Sequence, residues 1–216
     1  MIELLDHTGS DMTVTNSARV SFADFGNWNE CPEGYSEERA EKLIGYLAKH
    51  KHLTPFRHVY VTIRCKEPIF TVRQLGKHQV GLSWNEVSRR YVKGDIEFYI
   101  PDEWRAAPEG SIKQGSAGVH PDSKTWRHVY GGFIKDAEAM YKSMIMEGIA
   151  PEQARMVLPQ SMMTSWVWSG SLLAFAHVYN ERSTSGAQQE VRQFAKELDE
   201  IIEPLFPIAW NALTNK

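Results

Sequence analysis

The 216-residue chain predicts an α+β fold: period-two apolar alternation is concentrated in its first hundred residues, and 3.6-residue spacing dominates its last ninety. Hydrophobic residues make up 42% and charged residues 24%, and seven Trp with eight Tyr are enough to build a real core, so a disordered or disulfide-stapled chain is excluded. No repeat of 20 to 50 residues and no low-complexity tract divides the chain, so residues 1–216 read as a single domain.

The elements follow in order. Ile2 to Leu5 suits a short strand. Ala40, Leu43, Ile44 and Leu47 recur at helical spacing behind Ser36, a natural cap with Glu37 and Glu38 in the first turn, which predicts a helix from Ser36 to His50. From His58 to Lys66, the apolar Val59, Val61, Ile63 and Cys65 alternate with Tyr60, Thr62 and Arg64, the pattern of a half-buried strand. Pro68 then opens a helix through Phe70 and Val72 toward Lys77, since a first-turn proline loses no hydrogen bond. Ile96 to Ile100 reads as a strand closed by Pro101, and Glu103 to Lys124, rich in Gly, Ser and Pro, as a long surface excursion. Helices are expected over Ser123 to Glu147, from Pro151, over Ser171 to Asn180, and over Ser185 to Ile202.

Charge and cysteine usage narrow the function. With 24 Lys+Arg against 27 Asp+Glu, the net charge of −3 offers no global field for nucleic acid or an anionic membrane. Any anionic ligand must be bound locally. The most apolar run, Ser171 to Tyr179, falls far short of the roughly 20 residues a membrane span needs. Cys31 and Cys65 support neither a disulfide framework nor a four-sulfur zinc site, and MIELLDHTGS lacks signal-peptide order, which points to a reducing cytoplasm. His50, His52 and His58 match no metal-site spacing and read as structural or surface residues, so no metal is expected. Cys65, on the apolar face of its strand, reads as an inert buried thiol. Gly76-Lys77 is followed by His78, not Ser or Thr, so no phosphate loop is present, and no Gly-x-Gly-x-x-Gly or Gly-x-Ser-x-Gly occurs.

One stretch does not look like packing. In Arg73 to Lys93, five Lys or Arg face the single acid Glu86, among Gln74, His78, Gln79, Ser83, Asn85 and Ser88. That composition suits a phosphate or anion site, or else a solvated basic face. Arg155, in the apolar run ARMVLP, and Arg182, closing SLLAFAHVYNER, each require an anionic ligand or an acid such as Glu152 or Glu190.

These residues carry a resemblance. Ser83-Trp84-Asn85-Glu86-Val87-Ser88-Arg89-Arg90-Tyr91 reproduces the second half of the signature of flavin-dependent thymidylate synthases, Arg-His-Arg, two residues, then Ser-x-Asn-Glu-x-Ser-x-Arg-Tyr. Further blocks lie in register across nearly the whole chain: Ala18-Arg19-Val20-Ser21-Phe22, Thr54-Pro55-Phe56, His58, Pro68-Ile69-Phe70, Arg73-Gln74, Phe98 to Pro101, Ala154 to Pro159, and Arg182 with Ala187-Gln188. The resemblance implies a small antiparallel-type sheet with a helical C-terminal half, and a homotetramer whose sites form at subunit contacts. It implies transfer of a methylene from methylenetetrahydrofolate to C5 of dUMP, giving dTMP, with reduced FAD as hydride source, NADPH as flavin reductant and no cysteine nucleophile.

By position, Gln74, Glu86, Ser88, Arg89, Arg90, Arg155 and Arg182 are the expected dUMP residues. Arg182 is the expected catalytic residue, matching an arginine that favours N3 ionisation and so enriches C5. Thr54, Lys77, His78, Gln79, Ser83, Glu86 and His177 are the expected FAD residues. The departures cluster around the flavin: Lys77-His78-Gln79 replaces Arg-His-Arg, the segment up to Ser83 is one residue longer, and Ser171, Leu173, His177 and Gly186 stand where the family carries Asn, Arg, Asn and His. Lysine keeps the charge but not the fork, so weaker or repositioned FAD binding is expected. A family member that hydroxymethylates dUMP, or a nucleotide-binding homologue that has lost FAD, are the alternatives.

Overall fold

The computed structural model describes residues 1–22, 27–28, 30, 35–92, 94–110 and 115–214; Cys31 and Lys93 lie outside them. Strand β1 (Ile2–Thr8) leads into helix α1 (Asp11–Arg19), capped by Ser10, and α2 (Glu37–Lys49) follows with Ser36 as its cap, as its spacing predicts. Strand β2 (Tyr60–Pro68) runs straight into α3 (Ile69–Leu75), so Pro68 ends one element and starts the next. Strand β3 (Leu82–Glu86) precedes the excursion, and α4 (Ser123–Met146) and the short α5 (Pro151–Ala154) come after it. Strand β4 (Met163–Ser171) then feeds α6 (Leu172–Arg182), α7 (Gln189–Ile202) and α8 (Pro207–Thr214).

The described strands form one antiparallel sheet in the order β1-β2-β4-β3. Ile63 lies opposite Trp168 and Cys65 opposite Trp166, so the period-two pattern sends Val61, Ile63, Cys65, Trp166 and Trp168 to one buried face. Phe194, Leu198 and Ile202 of α7 and Trp210 of α8 cover that face, with Phe175 of α6 beside them. Trp84 of β3 stacks on Trp166 at 4.3 Å and meets Trp168 edge-on, which ties the edge strand to the core.

The α+β reading holds, with four corrections. The last ninety residues are not all helical, because Met163–Ser171 is β4, one of the two inner strands. Ile96 to Ile100 is not a strand. It pairs only through the bridge Phe98 to Met162 and its flanking bonds, with Pro101 closing one segment and Pro159 the other. The helix expected from Ser185 begins at Gln189, because residues 183–188 form a turn closed by Ala187 N–H to the Thr184 carbonyl. The helix from Pro151 lasts four residues before giving way to a 3-10 turn, Arg155–Val157.

Candidate functional site

Two helix ends meet at the centre of the site. α3 is pinned at its start by bonds from the Ile69 and Phe70 amides to the carbonyls of Met162 and Gln160, and Gln74 falls in its last turn. Arg182 is the last residue of α6, so its cation sits at the negative end of its own helix and reaches the C-terminal end of another. Its Nη2 donates to the Gln74 carbonyl at 3.1 Å and its Nε to His78 Nε2 at 2.9 Å. A guanidinium can only donate, so His78 Nε2 carries the lone pair and the ring proton lies on Nδ1. Burial, then the neighbouring Arg182 cation and His177, push His78 down to about 4, so it is neutral at pH 7. His177, exposed on α6, meets the His78 ring edge-on with centroids 5.5 Å apart.

The wall beside Arg182 is a chain of side-chain hydrogen bonds. Gln74 Nε2 donates to Gln188 Oε1 at 2.6 Å, Gln188 Nε2 to Glu190 Oε2 at 2.9 Å, and Arg105 Nη2 to both Glu190 oxygens at 2.8 Å. Burial raises the Glu190 carboxyl, but the bonds from Arg105, its own backbone and Gln188 outweigh that and hold it below its usual range. Gln74, Arg105, Arg182, Gly186, Gln188 and Arg192 are among the residues lining a cavity of about 900 Å³. That lies at the upper end of the size range of ligand pockets, and its walls offer many donors and few acids.

The loop carrying His78 can lie where it does because of two glycines. Gly81 adopts φ +74°, open to glycine at no cost, and a Cβ on Gly170 would stand 2.5 Å from Leu82 Cδ2 and 2.7 Å from the Gly81 carbonyl.

The other expected nucleotide residues form a separate group. Glu86 closes β3 and accepts from Thr164 Oγ1 at 2.9 Å and Trp84 Nε1 at 3.3 Å. Ser88 Oγ accepts the Arg90 amide. Arg89 spends two N–H groups on the carbonyls of Gly94 and Asp95, both at 2.8 Å, and so braces its own loop. Exposed Arg90 stacks on Tyr91 and comes within 3.9 Å of Glu152. Arg155 is exposed rather than semi-buried, because the chain leaves α5 in a tight turn that buries Ala154 and turns Arg155 outward; its Nε donates to the Glu152 carbonyl, not to a carboxylate. Neither arginine of the pair meets the expected acid: Glu190 is taken by Arg105. Among the described residues, no hydrogen bond or ion pair joins Ser88, Arg89, Arg90 or Arg155 to Gln74 or Arg182, and none of the four lines the large cavity.

The residues expected at the flavin fit such a group by their chemistry. Lys77 and Gln79 are exposed beside His78, and Ser83 is exposed on β3 opposite Ser169. Thr54 is exposed at the start of the 3-10 turn Thr54–Arg57. A cation, an amide, two imidazoles and two hydroxyls match a pyrophosphate and a hydrogen-bonding ring. Two of the departures do structural work instead. Ser171 caps α6 by accepting the Ala174 amide, and Leu173 packs on the core. The three histidines whose spacing matches no metal site sit against aromatic rings, His50 and His52 on Tyr46 and His58 on Trp28.

Sequence pattern does not mark Arg105, which lines this cavity. It lies in an excursion without periodicity, and its only local signal is the neighbouring Trp104, which packs edge-on against Tyr130. The partner of His78 was equally invisible, since 104 residues separate it from Arg182.

Known proteins resemble this chain in sequence and in fold. Residues 3–208 match the family model described as thymidylate synthase complementing protein. The chain is 34% identical over 212 residues to the flavin-dependent thymidylate synthase of Thermus thermophilus, spanning 98% of this chain and 74% of that one. It is 36% identical over 217 residues to that of Kosmotoga olearia, spanning 99% and 90%. Among solved structures, a UMP/dUMP methylase, PolB of Streptomyces cacaoi, bound with 5-Br dUMP, superposes with a TM-score of 0.87 at 30% identity, covering 100% of this chain and 94% of that one. Sequence, fold and near-complete coverage agree that this chain is an enzyme of the flavin-dependent thymidylate synthase family.

Proposed function

We propose that the enzyme converts dUMP to dTMP, taking the carbon from methylenetetrahydrofolate, with NADPH as the ultimate reductant, in the cytoplasm. The observation that carries this reading is the anchored guanidinium of Arg182, held by Gln74 and His78 on the wall of a cavity large enough for a nucleotide. A fixed cation beside the pyrimidine stabilises the negative charge that builds on the ring as C5 becomes nucleophilic. Cys65 takes no part, since burial in the sheet pushes its thiol well above the ordinary range and keeps it protonated. Lys77, His78, Gln79, His177, Ser83 and Thr54 are the residues proposed to hold FAD, which when bound supplies hydride for reducing the transferred carbon.

Ser88, Arg89, Arg90 and Arg155 are proposed to bind the phosphate side of dUMP presented by a neighbouring copy, with Glu86 supporting their strand, so that a homotetramer completes each site. Arg90 and Arg155 are exposed and each meets Glu152 through Nε, whereas Arg89 contributes through the loop it closes. Incubation with dUMP, methylenetetrahydrofolate, FAD and NADPH, followed by mass analysis of the nucleotide, tests the reading. dTMP supports it. A hydroxymethylated nucleotide redirects it to the hydroxymethylase alternative, and unchanged dUMP with flavin bound overturns it.

A further inference from the structure

The excursion after Pro101 reaches the site through Arg105. Its Nε is held by Ser116 Oγ at 2.9 Å, and its Nη2 sits on both oxygens of Glu190, which also lies 3.4 Å from the Tyr99 hydroxyl. A carboxylate so paired stays ionised and accepts only. Gln188 must therefore turn its NH₂ toward Glu190, which leaves its oxygen facing Gln74. Gln74 must in turn give its NH₂ to Gln188, so its side-chain amide oxygen is the group left over, on a residue that lines the cavity. Flipping both amides would set the Gln188 oxygen against the Glu190 carboxylate in a half-buried site, an arrangement with two acceptors and no donor.

We propose that Arg105 and Glu190 are positioning residues that fix the amide polarity of Gln74 through Gln188, and thereby the preference of the cavity for a uracil over a cytosine nucleotide. A uracil nucleotide enters neutral, before Arg182 favours loss of its N3 proton, and in that form has one ring donor, N3–H, which suits an acceptor at Gln74, whereas cytosine offers a bare lone pair at the same atom. Arg182, which can only donate, complements the uracil C4 carbonyl in the same cavity, where cytosine carries an amine that also donates. The inference rests on the dUMP reading above and adds to it what selects the base.

The test measures Kd for dUMP and dCMP by calorimetry on the full chain, alongside melting temperature. The wild type is expected to prefer dUMP. In Glu190→Gln the relay loses its fixed polarity, and dUMP binding weakens about tenfold while dCMP binding does not, so the ratio narrows by a similar factor. Arg105→Ala, on the excursion outside the core, moves the ratio in the same direction and serves if Glu190→Gln fails to fold. The double variant Gln188→Glu/Glu190→Gln puts the acceptor-only carboxylate one step nearer Gln74 and restores the ratio, which a merely structural role would not do. Folded single variants with the wild-type ratio, or a double variant without rescue, overturn the inference alone. A wild type that binds neither nucleotide overturns the dUMP reading beneath it.

Discussion

A single guanidinium organises the site, and what matters is that its direction is fixed before any ligand arrives. The Gln74 carbonyl and His78 Nε2 hold two of Arg182's N–H groups, so the remaining donors point where the side chain is already committed. Preorganised donors of this kind contribute most where charge develops during reaction. Arg182→Ala is therefore expected to cut turnover by at least about a hundredfold while the melting temperature stays near wild type. A collapsed protein would instead show that Arg182 is structural. His78 makes a pH prediction with a definite sign. Its folded value, about 4, lies below the unfolded 6.5, so between the two the unfolded chain holds the extra proton and stability is lost as pH falls through that window. In His78→Gln, whose amide oxygen still accepts from Arg182, the drop in melting temperature from pH 6.5 to pH 4 should shrink. An undiminished drop would assign the slope to other groups. Arg182, Gln74 and His78 were each legible as polar or charged residues in unusual company, and the resemblance supplied their roles. Their mutual contacts were not legible, because hydrogen bonds across more than a hundred residues leave no local trace.

Elements bring those residues together, and the sheet does so through a close approach rather than through a large contact. Gly170 on β4 lets the Gly81 carbonyl and Leu82 come within reach, which places the loop bearing His78 against α6. Gly170→Ala is expected to destabilise by about 1–3 kcal/mol, because a backbone carbonyl cannot move aside as a side chain can. It should also weaken nucleotide binding by displacing His78. Gly45→Ala, on the exposed side of α2 with nothing near its Cβ, should be neutral or stabilising by about 0.5–1 kcal/mol in the same denaturation series. Equal losses in both would mean that the contact at Gly170 is not the cause. The same elements show where pattern reading succeeds. β2 was legible because its inward positions are apolar and its outward ones polar. β3 was not, because Leu82–Glu86 is a five-residue edge strand whose side chains are mostly exposed, so its SWNE reads as a motif and not as alternation. α1 was missed for the opposite reason: it buries polar Thr13, Thr15 and Asn16, and Asn16 is satisfied by the carbonyls of Asn27, Trp28 and Glu30, which no local pattern announces.

At the scale of the whole molecule, two surfaces of one copy of the chain stand out. Helix α4 exposes Trp126, Val129, Phe133 and Met140, at spacings of three, four and seven that place them along one stripe, each about half accessible. The basic group Arg90 and Arg155 stands apart from the cavity that holds Arg182. Both facts follow if the chain works as the proposed homotetramer, in which a stripe is covered by a neighbour and each cavity receives its phosphate contacts from another copy. The test is subunit mixing. Arg182→Ala and Arg90→Ala should each be inactive as pure preparations. When equal amounts are co-expressed or remixed from dissociated subunits, random pairing gives about a quarter of the sites an intact residue from each side, so activity should return to about a quarter of wild type. Phe133→Glu, which puts a charge into the stripe, should shift the protein to smaller assemblies in light scattering and lose activity with Arg182 and Arg90 both intact. Activity of the mixture no greater than that of its inactive parents would show that each site is built within one copy of the chain.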